Sequence, residues 1–293
     1  MSRKIISPLR YPGGKGKIYD KVKKIILENQ LENHIYVEPF AGGAAIGLQL
    51  IMDGIVSRII VNDLDKSIYS LWYSILYHTN ELIDLINKTE ITIGQWYIQK
   101  EIQKQKDFIR DPLILGFSTL FLNRTNRSGV ISGGPIGGYK QSGEYLINCR
   151  FNKISIIKRI EIISKMRDKI ELCNKDACLL LELLNKRKED FFINMDPPYY
   201  NKGKQLYMNF FEPEDHIILK NTIEHSRHPW IITYDNVIDL SKLYSDYKQI
   251  EFDMNYSAGK KKTGKEILIC NECLDIDQEL FTRTSKKVPI STS

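Results

Sequence analysis

The chain has no apolar run approaching the roughly 20 residues of a membrane-crossing helix, and its first residues, MSRKIISPLRYPGGK, lack the uninterrupted apolar stretch of a secretory signal. A cytoplasmic protein with no membrane partner is expected. Cysteine is sparse. Of five residues, Cys270 and Cys273 form a lone CxxC, and the pair left to complete a metal knuckle, Cys173 and Cys178, fits the usual ligand spacing poorly. Reduced structural thiols are the better expectation, and no metal is expected. His216, His225 and His228 fall in a polar helical stretch and its end, without a carboxylate and cysteine set around them, so solvated or capping histidines are expected. The G-x-S-x-G elbow and a Cys/His pair are missing, which leaves covalent catalysis without a visible nucleophile. Neither the GxGxxG spacing nor a P-loop GK[ST] occurs, and there is no internal repeat.

What is present is a chain of 293 residues, 42% hydrophobic and 27% charged, enough for a large core in one domain or one domain with an insertion. Lys+Arg 42 against Asp+Glu 36 gives net +6, which permits a polyanionic partner without requiring one. The basic residues gather at Lys15 to Lys24, Arg124 to Arg127 and Lys260 to Lys265, and for any single one of these a solvated loop is the commoner explanation.

Short apolar runs end repeatedly at polar residues. Residues 35 to 37 run into Glu38-Pro39 and a Gly-rich turn, with a helical pattern from Ala44 to Met52. Residues 59 to 61 end at Asn62-Asp63, Phe191 to Met195 at Asp196-Pro197-Pro198, and Trp230 to Thr233 at Tyr234-Asp235-Asn236. Such a series describes the carboxyl edge of a buried parallel sheet, so an α/β, Rossmann-like doubly wound fold is expected. Gln249 to Tyr256 and Glu266 to Cys270 are β-rich arms about a Gly/Lys loop, predicting an antiparallel hairpin at one edge. Three strand-plus-crossover units of about 25 to 30 residues each would need about 75 to 90 residues between Glu38 and Asp196, whereas 196 − 38 = 158. The surplus predicts an inserted, mainly helical subdomain at 68 to 152, which leaves 1–67 and 153–293 as the catalytic domain.

Small residues after Glu38 allow close backbone approach to a ligand, and a carboxylate at a strand end suits a cationic or hydroxyl-bearing group better than phosphate. S-adenosylmethionine, with its amino group, sulfonium and ribose, fits that description. Asp63, at the next strand end, can accept from ribose hydroxyls. In Asp196-Pro197-Pro198-Tyr199, the two prolines fix the chain and free carbonyl oxygens that no following helix can use. Acceptors on both N–H hydrogens of an aromatic amine help its nitrogen become tetrahedral, and an adjoining aromatic can stack on the ring that bears it. The ring of Tyr199, rather than its hydroxyl, is the part expected to matter. A proline-capped strand end with a core tyrosine is the plainer alternative.

PLRYPGGK at 8 to 15, VEPFAGGAA at 37 to 45 and DPPYY at 196 to 200 occur in the order found in the Dam-like adenine-N6 DNA methyltransferases, which the chain resembles over most of its length. LFLNRTNRSG at 120 to 129 resembles that family's recognition-region segment, and Asn174-Lys175-Asp176-Ala177 sits where the family has an acidic residue on the cofactor adenine. The resemblance implies S-adenosylmethionine held by Tyr11, Lys15, Glu38, Pro39, Phe40, Ala41, Gly42, Gly43, Asp63, Asp176 and Ala177. It implies a flipped-out adenine of a specific double-stranded DNA sequence held by Asp196, Pro197, Pro198 and Tyr199. DNA contacts are expected from Arg124, Asn126, Arg127, Ser128 and Lys140, and from Lys260, Lys261 and Lys262. Arg127 is favoured as base reader, because Arg124 falls in the most widely shared part and would also suit a structural role. Arg127, Ser128 and Ser132 differ from family members that read GATC, which leaves the target sequence open. A companion restriction endonuclease is a further expected partner. The alternatives are methylation of RNA or of a protein amide, or a catalytically silent DNA-binding module.

Overall fold

Strand-forming runs separated by amphipathic helices bury their apolar residues on two faces at once, and the sheet here shows how. The computed structural model describes residues 7–10, 15–200, 211–256 and 262–282. Its seven strands are β1 (Ile35–Glu38), β2 (Ile59–Asn62), β3 (Ile170–Cys173), β4 (Phe191–Met195), β5 (Trp230–Asp235), β6 (Lys248–Tyr256) and β7 (Lys262–Cys270), in the spatial order β3-β2-β1-β4-β5-β7-β6. The first five are parallel, while β7 runs antiparallel between β5 and β6. This is a doubly wound, Rossmann-like sheet with an antiparallel hairpin edge.

Alternation along each strand divides the core. Tyr36, Ile59, Val61, Phe192 and Ile231 point into one apolar cluster, whereas Ile35, Val37, Ile60, Ile193 and Ile232 point into another. The first cluster is covered by α1 (Tyr19–Glu28), α2 (Ala45–Met52) and α3 (Lys66–Tyr77), the second by α8 (Ala177–Lys186) and the helix Pro213–Glu224. Buried on both faces, β1, β2 and β4 are uniformly enclosed.

Between β2 and β3 the chain makes five α-helices, α3, α4 (Thr79–Lys88), α5 (Ile93–Lys104), α6 (Pro112–Thr125) and α7 (Lys153–Ser164). Their starts follow the capping chemistry of the sequence: Asp65, Thr92, Asp111 and Asn152 each accept from a first-turn backbone N–H. Helix α6 is enclosed from Leu115 to Thr125. At Gly116 an added Cβ would fall 2.6 Å from the Ser70 carbonyl oxygen, so only glycine permits the approach of α6 to α3. Leu71, Trp72, Leu120 and Phe121 share the apolar cluster of Tyr36, Ile59 and Val61, so these helices are packed against one face of the sheet.

Candidate active site

In a doubly wound sheet the strand order reverses at one place, and the loops leaving the strands there diverge to open a crevice. Here that place lies between β1 and β4, whose ends carry Glu38 and Asp196.

The loop after β1 is held from below. Asn62 Nδ2 donates to the carbonyls of Pro39 (2.8 Å) and Lys175 (3.0 Å), and its Oδ1 accepts from Lys175 N (2.9 Å). One fully buried amide therefore ties together the ends of β1, β2 and β3. Gly42 and Ala44 adopt left-handed φ values of 47° and 45°, a conformation costly for alanine. Trp72 Nε1 donates to Gly42 O (2.9 Å), and Gly42 N donates to Asp63 Oδ2 (2.9 Å). Pro39, Ala41 and Gly43 are buried in the same turn, and Phe40 is half-buried.

The carboxylates are set apart from ordinary surface acids. Glu38 Oε1 accepts from Gly47 N at 3.0 Å and Tyr36 Oη at 3.1 Å, and Tyr36 Oη accepts from Asn194 Nδ2 at 2.6 Å. Burial pushes the Glu38 carboxyl up to about 7, against the opposing pull of those two donors. Burial, and next the neighbouring Asp65, raises Asp63 to about 7, while the N–H groups of Asp65 and Gly42 act in the opposite direction. Neither carboxylate forms an ion pair among the described residues. Asp176 is exposed and caps α8 through Leu179 N at 3.1 Å, with Ala177 buried behind it.

Across the switch point Asp196 keeps 32% of its side chain open while Lys15 approaches it, with Nζ 3.3 Å from Oδ1. Pro197 is buried, Pro198 half-buried, and Tyr199 buried at the back. Burial raises the Asp196 carboxyl to about 6, with Lys15 pulling it down and Glu266 pushing it up. Lys15, which the resemblance places among the cofactor residues, has Asp196 and Glu266 as its described polar partners. Burial works against the Lys15 ammonium, but the two carboxylates outweigh it and hold its pKa above the ordinary value. Aromatic rings line the neighbouring wall: Phe40 meets Phe211 edge-on at 5.7 Å, and Tyr200 lies 5.1 Å from His216.

The residues expected to face DNA divide by exposure. Arg127, Ser128 and Lys140 are exposed. Asn126 is fully buried, donating to Val130 O and Ile131 O (both 2.9 Å) and accepting from Trp96 Nε1 (2.6 Å), so its side chain pins the base of the loop. Arg124 is 9% exposed, its Nε lacks a partner among the described residues, and its pKa is lowered to about 10 by burial, then by Arg159 and Arg10. Tyr11, Lys260 and Lys261 lie outside the described residues, as does the side chain of Lys262.

Several neighbours of the site were not anticipated. Glu266 stands alone as an acid in the strand run EILIC, and that single interruption was the signal available. His216 and His228 are buried rather than solvated. His216 Nδ1 bonds Tyr234 Oη at 3.0 Å, and burial lowers its pKa to about 4, so it is neutral.

The family model of the D12 class N6 adenine-specific DNA methyltransferase matches residues 11–258. A relative, the Type II methyltransferase M.MjaIII of Methanocaldococcus jannaschii, is 21% identical over 207 residues, covering 65% of this chain and 68% of that protein. Among solved structures, one described as a candidate RNA methyltransferase, from Pyrococcus horikoshii, overlays 92% of this chain on 87% of that one at 8% identity and a TM-score of 0.43. A likeness that loose assigns nothing to this chain. The family match, by contrast, spans the Glu38 loop, the Asp63 turn and the Asp196-Pro197-Pro198-Tyr199 strand end together, and the chain belongs to the D12 class of N6 adenine-specific DNA methyltransferases.

Proposed function

We propose that the protein uses S-adenosylmethionine to methylate N6 of an adenine turned out of a specific double-stranded DNA sequence. The observation that carries this proposal is the pairing, across one switch point, of cation-seeking carboxylates after β1 and β2 with a partly open, proline-fixed acceptor after β4. The donor set fits the cofactor. Glu38 is a buried and Asp63 a half-buried carboxylate, neither with an ion-pair partner among the described residues, and the turn after β1 is built of the small residues Ala41, Gly42, Gly43 and Ala44. When bound, S-adenosylmethionine supplies a methyl group activated by its sulfonium.

The chain's own groups divide the remaining work. Glu38 and Asp63 would accept hydrogen bonds from the cofactor's amino and hydroxyl groups, with Asp176 at its adenine. Asp196 and the carbonyl freed by Pro197-Pro198 would accept both hydrogens of the target amine, which directs the nitrogen lone pair at the methyl. The Tyr199 ring would stack on the base and offset part of the cost of unstacking it. Residues 1–67 and 153–293 would form the catalytic domain, and 68–152 the target-recognition subdomain, in which Arg127 contacts a base and Ser128 and Lys140 approach the same groove. Lys260, Lys261 and Lys262 would meet phosphates irrespective of sequence. The test is incubation with radiolabelled S-adenosylmethionine and plasmid, RNA or bulk protein in turn. Label is expected on adenine N6 of the plasmid; label on RNA or protein alone would overturn the proposal.

A further inference from the structure

Glu266 is a buried carboxylate to which the chemistry above gives no task. It sits on β7 opposite Asp235 of β5, between Lys265 and the enclosed run Ile267, Leu268 and Ile269, and is itself 0% exposed. An acid in that position is strongly destabilising unless donors meet it. Its two oxygens are met by different elements of the site. Lys15 Nζ donates to Oε2 at 2.5 Å, and Tyr199 Oη donates to Oε1 at 3.0 Å. Lys15 also lies 3.3 Å from Asp196 Oδ1 and 5.3 Å from the centre of the Tyr199 ring.

We propose that Glu266 is a positioning residue for methyl transfer, anchoring the Lys15 ammonium and the Tyr199 hydroxyl so that Asp196 and the Tyr199 ring present one fixed geometry to the target base. This rests on the assignment of Asp196 and Tyr199 to the base-holding end. Three segments distant in sequence, the turn before α1, the end of β4 and the centre of β7, are joined through one side chain. Ring and carboxylate are thereby set relative to each other before substrate arrives, and a misplacement of about 1 Å in such an arrangement can cost on the order of a hundredfold in rate. Charge has a second consequence. One ammonium faces two carboxylates, so Glu266 opposes ionisation of Asp196 while Lys15 favours it. Among the described residues, the groups facing Asp196 are Lys15 from the turn before α1, Glu266 from β7, Thr233 from β5, and Glu38 with Tyr36 from β1.

The experiment compares full-length wild type, Glu266→Gln, Tyr199→Phe and the double variant, measuring kcat, KM for DNA, cofactor Kd by calorimetry and the pH profile of kcat. Glu266→Gln is expected to lower kcat by about tenfold to a hundredfold with cofactor Kd within about threefold. Its acid limb should move to lower pH, because a like charge beside Asp196 has gone. The double variant should lose less than the product of the two single losses, since both remove the same hydrogen bond. Independent losses with an unmoved acid limb would mean that Glu266 only fills space, and would overturn the proposal. Should Glu266→Gln fail to fold, Tyr199→Phe, which leaves every buried charge in place, decides the matter: reduced kcat at unchanged cofactor Kd supports the anchor, and wild-type kcat overturns it. Wild type that methylates no adenine would refute the base-holding assignment instead.

Discussion

Two parts of the molecule carry buried charge of opposite sign, and neither balances itself. Around the switch point, Asp196 and Glu266 share one buried ammonium, Lys15, whereas Glu38 and Asp63 have no ion pair among the described residues. Beside the turn at 126–129, Arg10, Arg124 and Arg159 gather without an ion pair among the described residues, using backbone carbonyls in part, Asn126 O for Arg10 and Ser7 O for Arg159. Burying unpaired charge costs stability. Its retention in two regions of opposite sign accords with the proposed function, in which a cationic cofactor would meet the acidic strand ends and DNA the basic side.

The comparison breaks most sharply at Asp196. Asp196→Ala should reduce turnover by on the order of a hundredfold or more, since an acceptor aimed at the reacting nitrogen is lost. Cofactor Kd should stay within a few-fold, and near-normal turnover would remove Asp196 from the chemistry. Tyr199 tests the same side. Tyr199→Ala, losing ring and anchor together, should be worse on duplex DNA than Tyr199→Phe, which keeps the ring. Equal damage by both would assign the effect to the hydroxyl and its bond to Glu266 alone.

The first carboxylate pair should show itself in cofactor binding. Asp63→Ala is expected to weaken affinity by about 1.5 to 3 kcal/mol through hydrogen bonds lost from a charged acceptor. Titration adds a directional test. Glu38 and Asp63 are raised from the ordinary carboxylate range to about 7, so they hold protons near neutrality and must release them to accept hydrogen bonds from a cation or hydroxyl. Affinity should therefore rise with pH up to about 7 and level off above it. The same raised values stabilise the empty fold below the ordinary carboxylate range, and that contribution is lost as pH rises through about 7. Calorimetry across pH 5 to 8 that gave a flat affinity would disconnect these acids from the cofactor.

On the basic side the effects are smaller and should split between buried and exposed arginines. Arg124→Met should raise thermal stability, because an incompletely bonded buried charge is replaced by an apolar chain, and should weaken DNA of any sequence. Arg127→Ala should leave stability alone and relax the choice of base by about 1 to 3 kcal/mol. Thermal melts with binding to matched and mismatched duplexes separate the two, and a reversal of these roles would contradict the division.

Much of this arrangement was legible in the sequence because it is local. Ile59 to Val61 and Phe191 to Met195 are apolar runs broken by acids, and Asp196-Pro197-Pro198 can do little but end a strand. Strand β3 was harder, since Ile170-Glu171-Leu172-Cys173 sits at the sheet edge, is only partly enclosed, and lacks a continuous apolar run. Asn62, Asn126 and Arg124 look like surface polar residues in one dimension. Only in the folded chain does Asn62 clamp three strand ends and Asn126 close a loop. The Glu266 contact spans 251 residues to Lys15, a pairing that no local pattern encodes. Strand positions follow from short-range periodicity, whereas the partners of buried polar groups depend on which distant segments the topology brings together.

The claim that the Asp196 strand end places a methyl group on adenine N6 is tested most directly by single-molecule sequencing of DNA from a host expressing either the wild-type chain or Asp196→Ala. N6-methyladenine at one recurring motif is expected with the wild type and none with the variant; no modified adenine with the wild type, or the same pattern with both, would contradict it.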